Sequence, residues 1–226
     1  MITHLFNAMA PLHHRNPGVF GTLGTPPSPS YPPSPLPLGA LPTPAPSPTL
    51  TPRTFLDSTR STPSLKQGDK RPFFGLIADN IHLHPTTIKI AYSTHPSGCI
   101  LVTDAMHLVG LPDGVYSWSG DQIQKSGSRL TLAGTDKIAG SSITLIECVS
   151  NFLNWTGCTI PEALRCVTAT PAAMLGMQGV KGSVEEGADA DLVVLDVEEM
   201  QNGSGKREFK VDQVWKFGRK VWDKFD

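Results

Sequence analysis

Two apolar runs in the middle of the chain, Phe73 to Ala78 (FFGLIA) and Gly98 to Val102 (GCILV), are hydrophobic without alternation. They turn polar only at their ends, at Asp79-Asn80 and Thr103-Asp104. A strand covered by helices on both faces reads this way, because neither face meets water. Between them, Pro85 to Thr94 (PTTIKIAYST) opens on a proline, which suits the first turn of a helix, where no amide donor is required. Strand, helix, strand at this spacing predicts a parallel crossover unit. Thr3 to Met9 (THLFNAM) is a third candidate strand and loop, running up to Pro11.

A helical block follows Gly140. Ile143, Ile146, Val149, Phe152 and Leu153 recur at helical spacing and give one apolar stripe from Ile143 to Trp155, with Ser141 and Ser142 as candidate caps and Gly157 as the stop. Pro161 to Thr168 predicts another helix, and Pro171 to Leu175 a further turn or helix. Gly182 to Leu195 (GSVEEGADADLVVL) and Val211 to Val221 (VDQVWKFGRKV) then alternate in strand fashion around Gly and Asp turns, which suggests a small β segment at the end of the chain.

Composition changes this picture in one place. Thirteen of the 21 prolines fall between residues 22 and 71, among Ser, Thr and Leu. Proline removes backbone donors and fixes φ, so the run from Thr25 to Pro52 is expected to be a solvated, partly polyproline II linker rather than a sheet or a helix. Its Pro-x-x-Pro spacings would suit an SH3-like or WW-like module, although such spacings are inevitable at this proline density. The 39% of apolar residues, low for a compact protein, fits a partly unstructured chain.

Charge excludes two classes of partner. With 19 basic and 20 acidic residues there is no electrostatic footprint for nucleic acid or an anionic membrane, and a small molecule is the better expectation. The four cysteines, Cys99, Cys148, Cys158 and Cys166, lack C-x-x-C spacing and lie in or beside apolar runs, as reduced core thiols do. The start of the chain has no signal-peptide pattern and no stretch of eighteen apolar residues occurs, so a soluble, cytoplasmic protein is expected.

The candidate chemistry sits at the ends of the predicted strands: His4 with Asn7, then Asp79 and His82, then Asp104. In a barrel of parallel strands, that end is the catalytic face. A lone histidine there is more often structural, and a lone aspartate is often a helix cap. Repetition at three successive strand ends favours a site. His13, His14, His95 and His107 show no ligand-like spacing and read as structural or surface residues; Asp136, Asp189 and Asp191 read as cap or turn residues.

These stretches, THLFNAM, HHRNPG (His13 to Gly18), ADNIH (Ala78 to His82), LVTDA (Leu101 to Ala105) and AGSS (Ala139 to Ser142), resemble, in the same order, the N-acetylglucosamine-6-phosphate deacetylases. The tail GADADLVVLD (Gly187 to Asp196) is similar to the final β segment of the wider amidohydrolase superfamily. The resemblance covers residues 1 to 21 and about 72 to 222; the proline-rich segment has no counterpart. It implies an α/β fold: part of a TIM-like (β/α)8 barrel, strands 6 to 8 with their helices, plus a small C-terminal β segment. Residues 1–21 would hold strand 6 and its loop, 22–71 a Pro-rich insertion, 72–178 strands 7 and 8 with helices, and 179–226 the β segment.

By the same resemblance, His4 closes the metal site, Asn7 and Ala8 contact the sugar phosphate, Arg15 meets the phosphate and His82 binds substrate. Asp104 is the catalytic aspartate, and Ile138, Ala139 and Gly140 form a loop lining the pocket. The implied cofactor is a divalent metal cation, with zinc the expectation, the implied substrate N-acetylglucosamine 6-phosphate, and the implied assembly a homodimer. The family's other metal ligands, a glutamate and a further histidine, lie on barrel strands upstream of THLFNAM that have no match here. This chain alone is therefore expected to be an incomplete, inactive portion of the deacetylase, since three strands cannot close an eight-stranded barrel. Two alternatives stand beside it: an amidohydrolase of dihydroorotase or hydantoinase type, and a catalytically dead interaction protein docking through its Pro-rich segment.

Overall fold

The computed structural model describes residues 1–7, 9–24, 69–200 and 203–225. Ala8 and the run from Thr25 to Pro52 lie outside the described residues. The fold is mixed α/β, and its centre is the crossover unit expected from the apolar runs. Strand β1 (Phe74–Ile77) pairs in parallel with β2 (Cys99–Val102), and helix α1 (Pro85–Thr94) connects them. His84 caps α1 by accepting the Thr86 amide at 3.2 Å, and Pro85 occupies the first turn.

The third candidate strand, Thr3 to Met9, is not a strand. Ile2 alone forms a parallel bridge to Phe74, donating to Phe73 O at 2.7 Å and accepting from Gly75 N at 2.8 Å, after which the chain turns. His4 at φ 52° and Phe6 at φ 74° have left extended geometry, so the ladder cannot continue.

Between the eighth-strand candidate and the next helix lies an element that the apolar pattern does not announce. Strands β3 (Gly114–Trp118), β4 (Asp121–Ser126), β5 (Arg129–Leu132) and β6 (Ile138–Ser141) form an antiparallel meander around a small core of Leu108, Ile123 and Leu130. Its first turn, Ser119-Gly120, has positive φ at both positions, as a two-residue hairpin matching the right-handed strand twist requires. Ile138, Ala139 and Gly140, expected as a loop, are strand residues of β6, drawn into the meander by pairing with β5.

Helix α2 (Leu145–Thr156) carries the predicted apolar stripe, but Ser141 and Ser142 do not cap it. Thr144 does, in a capping box with Glu147 that satisfies two otherwise orphaned amides. Gly157 ends the helix in the left-handed conformation. Helices α3 (Ile160–Arg165) and α4 (Ala169–Met174) follow, α3 with a second capping box from Thr159 and Glu162. Phe152 of α2 meets Tyr92 of α1 edge-on at 4.9 Å, within a core that also holds Phe74, Leu76, Leu101 and Leu153. All four cysteines are free and buried.

Strands β7 (Leu192–Glu199), β8 (Arg207–Lys216) and β9 (Arg219–Asp223) make an antiparallel sheet that shares the main core through Phe209. The pairing starts only at Leu192, because Asp191 is taken up by the lysines Lys181 and Lys216. Side chains of α2 satisfy the edge of β8: Asn154 accepts from Arg207 N at 3.0 Å and donates to Arg207 O at 2.8 Å, and Ser150 accepts from Phe209 N at 3.0 Å.

Candidate functional site

The parallel register places the ends of three successive segments side by side, and the polar residues meet there. His4 Nε2 lies 3.0 Å from Asp104 Oδ1, both side chains half exposed, beside an open cavity of about 290 Å³ lined also by Thr3, Thr103 and Ala105. His82 Nδ1 lies 2.7 Å from Asp79 Oδ2 in the neighbouring turn.

Backbone strain concentrates at this end. His4 after the Ile2 bridge, Asn80 after β1 and Asp104 after β2 have φ of 52°, 61° and 48°. Side chains with a Cβ rarely enter the left-handed region, and such positions persist where the surroundings over-determine them, typically at functional sites.

The electrostatics of the two pairs differ in burial. Burial of the Asp79 carboxyl raises its pKa, but hydrogen bonds from the His82 ring and the His82 and Ile81 amides outweigh it and hold the group below the ordinary carboxylate value. His82 is raised by its hydrogen bond to Asp79, against the cost of burial, and Asp104 adds to the same direction. His82 is thus held toward the imidazolium form.

Of the other expected site residues, Asn7 is partly buried, and its Nδ2 is a buried donor with no partner among the described residues. Such an atom costs about 1–3 kcal/mol unless something accepts from it, and a ligand oxygen would. Ile138, Ala139 and Gly140 do not line the cavity beside His4 and Asp104; the residue after them, Ser141, bridges Ala105, and Met106 N donates to Ser141 O at 2.8 Å. Gly140 is required there, since a Cβ would fall 2.9 Å from Met106 Cγ at a φ of +156°.

Arg15 is not joined to the pair. It sits in the exposed bridge of His13 with Asn16, its guanidinium without a partner among the described residues. Ala8 lies outside the described residues. Sequence reasoning places Asp79 among the strand-end candidates but gives it no particular task; the signal for its pairing is its spacing three residues before His82 in a strand-end turn. A second cavity, of about 410 Å³, lies between that turn, α2 and β8, and carries charges of both signs, Glu147 and Glu208 with Lys206 and Arg207.

A divalent metal needs three protein ligands as a rule. No group of three or more His, Cys, Asp or Glu side chains among the described residues is arranged to hold one. His4 and Asp104 offer one imidazole and one carboxylate, a donor set that fits part of a metal centre and does not complete it.

The parallel β-α-β unit thus brings a histidine and an aspartate, both in left-handed backbone, together beside the end of β2. The chain belongs to the amidohydrolase family, whose profile matches residues 66–221.

Among curated relatives, the zebrafish (Danio rerio) N-acetylglucosamine-6-phosphate deacetylase is 37% identical over 195 residues, 86% of this chain and 39% of the relative. An Escherichia coli K12 protein provisionally named as an N-acetylgalactosamine-6-phosphate deacetylase is 30% identical over 212 residues, 94% of this chain and 95% of the relative. A solved Mycobacterium smegmatis N-acetyl-D-glucosamine-6-phosphate deacetylase variant, in complex with N-acetyl-D-glucosamine-6-phosphate, superposes with a TM-score of 0.64 at 26% identity. That match covers 97% of this chain and 44% of the solved one. The chain therefore spans about two fifths of the glucosamine deacetylases it matches. No helix among the described residues is long and apolar enough to cross a membrane.

Proposed function

We propose that this chain carries the substrate-binding and acid–base portion of an N-acetylglucosamine-6-phosphate deacetylase. The observation that carries the reading is the 3.0 Å approach of His4, after the Ile2 bridge, to Asp104, after β2, each in strained left-handed backbone. Relatives named for this activity, at 37% identity in the first case, support the substrate class. The parallel unit corresponds in this reading to strands 6 to 8 of a (β/α)8 barrel, in a cytoplasmic homodimer.

An acetamide is a poor electrophile at neutral pH. When bound, a divalent cation supplies Lewis acidity to the carbonyl and to water, zinc being the expected ion. Of this chain's residues, His4 would hold the cation, and the described residues do not supply the remaining ligands. Asp104 takes the proton of the attacking water and returns it to the departing amine. Asn7, with its unpaired amide, donates to a substrate oxygen, and Arg15 suits the phosphate by its forked donors.

The galactosamine epimer is the second reading, favoured by the K12 relative whose length the chain matches. Acetate release, measured with a divalent metal from N-acetylglucosamine 6-phosphate, its galactosamine epimer and dihydroorotate, separates these readings. Turnover confined to the glucosamine compound supports the first, turnover confined to the epimer the second, and turnover confined to the cyclic amide overturns both. Should none turn over, sugar-phosphate binding decides by NMR: shifts at Asn7 and His82 support the reading, and their absence overturns it.

A further inference from the structure

We propose that Asp79 is the positioning residue of this site: its buried carboxylate clamps Nδ1 of the His82 imidazole and leaves Nε2–H as a cationic donor for an anionic or carbonyl oxygen of the ligand. The inference rests on the reading of His82 as a ligand contact and deepens it.

The two carboxylate oxygens of Asp79 have separate tasks. Oδ1 accepts the amides of Ile81 and His82, each at 2.9 Å, and so closes the turn after β1. Oδ2 is left for His82 Nδ1 at 2.7 Å. An asparagine oxygen would close the same turn without burying a charge, and an ionised carboxylate with no exposed side-chain surface is costly unless a partner compensates it. The turn does not rely on Asp79 alone, since Asn151 of α2 anchors it by donating to Ala78 O at 2.9 Å. The carboxylate therefore serves the histidine.

The clamp fixes which nitrogen faces outward. With Nδ1–H given to Asp79, Nε2 has no partner among the described residues, and it is not a buried orphan. The ring keeps some exposure, 17% for the side chain. Its charged form is favoured by Asp79 and, from the end of β2, by Asp104. Of the other titratable groups near Asp79, the Cys148 thiol of α2 is pushed up to about 12 by burial and is therefore neutral, while Glu147, Lys206, Arg207 and Glu208 line the cavity on its other side. In its protonated form a histidine held this way donates at Nε2, which selects a phosphate or carbonyl oxygen over a sugar hydroxyl hydrogen.

Imidazole ¹⁵N spectra of the 226-residue chain test this against pH, in the native sequence and in Asp79→Asn, which retains the turn-closing oxygen and removes the charge. The native chain is expected to show His82 protonated at Nδ1 in its neutral form, with a midpoint above 6.5, and D79N to lower that midpoint. An unchanged midpoint in D79N, or a neutral native ring protonated at Nε2, overturns the proposal. The native tautomer decides even if D79N does not fold. N-acetylglucosamine 6-phosphate is then titrated in, and it is expected to shift the His82 Nε2 signal and to bind about tenfold more weakly to D79N. A clamped ring that ignores the sugar phosphate counts against the deacetylase reading while leaving the clamp established, so the two failures are told apart.

Discussion

Strands β1 and β7 have nearly the same apolar character, yet one is the centre of the molecule and the other its surface. All four residues of β1 are buried, whereas in the LVVL start of β7 Val193 is 53% exposed and Val194 45%. The difference lies in the neighbours. Beside β1 lie Ile2 and β2 in the sheet, and the core of α1 and α2 packs against it; β7 sends only Leu195 and Val197 against that core. An apolar run reports what a strand could bury, and the adjoining elements decide what it does bury.

The sharpest test of that contrast is truncation. Phe152→Ala removes a fully buried ring from the α1–α2 contact and should cost about 3–5 kcal/mol in urea unfolding. Val193→Ala should stay within about 0.5 kcal/mol. A cost for V193A approaching that of F152A would mean the β7 face is covered in solution.

Glycines sharpen the comparison at the next magnitude. A Cβ on Gly98 would fall 2.2 Å from Nε2 of His95, a ring with no exposed surface, so Gly98→Ala should destabilise by about 1–3 kcal/mol. Gly114, in the meander, has room, its nearest contact being Tyr116 Cε2 at 3.8 Å. Gly114→Ala should therefore be neutral or stabilising by less than about 1 kcal/mol. Thermal unfolding of the two variants distinguishes them.

Two histidines set opposing pH slopes. His82 is raised above 6.5, so its contribution is fully present below 6.5 and is lost as pH rises through the folded value. His95 is lowered, by burial first and by Arg71 second, so it favours the folded chain at high pH and that contribution is lost as pH falls from 6.5 through its folded value. Between pH 5 and 8, His82→Gln should leave stability rising with pH and His95→Gln should leave it falling, read from urea midpoints. Equal slopes in the two variants would contradict the assignment.

The smallest effect is expected at the β8–β9 tip. Asp191 receives Lys181, Lys216 and, at 2.9 Å, the Phe217 amide, all at the protein surface. Asp191→Asn should speed hydrogen exchange at Phe217 and Gly218 while leaving the amides of β1 unchanged.

The buried strands and α1 were legible in sequence because continuous apolar runs and a first-turn proline act locally. Their ends put Asp79, His82 and Asp104 where the structure has them. The meander was less legible. Its strands are short, β4 buries only Ile123 and Lys125, and its apolar content falls below any periodic signal. The turn pairs Ser119-Gly120 and Gly127-Ser128 were the available marks, each joining strands paired across two residues. The Thr144 cap could be read from the Thr-x-x-Glu spacing, which outweighs the serines because Ser141 accepts from Ile143 N and Ser142 donates to Gly127 O. The Asp79–His82 pairing depends on a turn closed by backbone amides and on the anchor from Asn151, and neither has a sequence signature.

Arg71 joins places far apart in sequence. It holds Asp69 through two guanidinium nitrogens, at 3.0 and 2.7 Å, and Asp69 stays near about 2 as a result. Its Nη1 reaches Leu23 O at 3.2 Å and Thr94 O at 3.0 Å. Leu23 and Asp69, with 45 residues between them in sequence, are therefore both tied through Arg71 to the end of α1. One guanidinium is thus a staple shared by three segments, and Arg71→Ala would release the Leu23 end, the Asp69 end and the last turn of α1 at once.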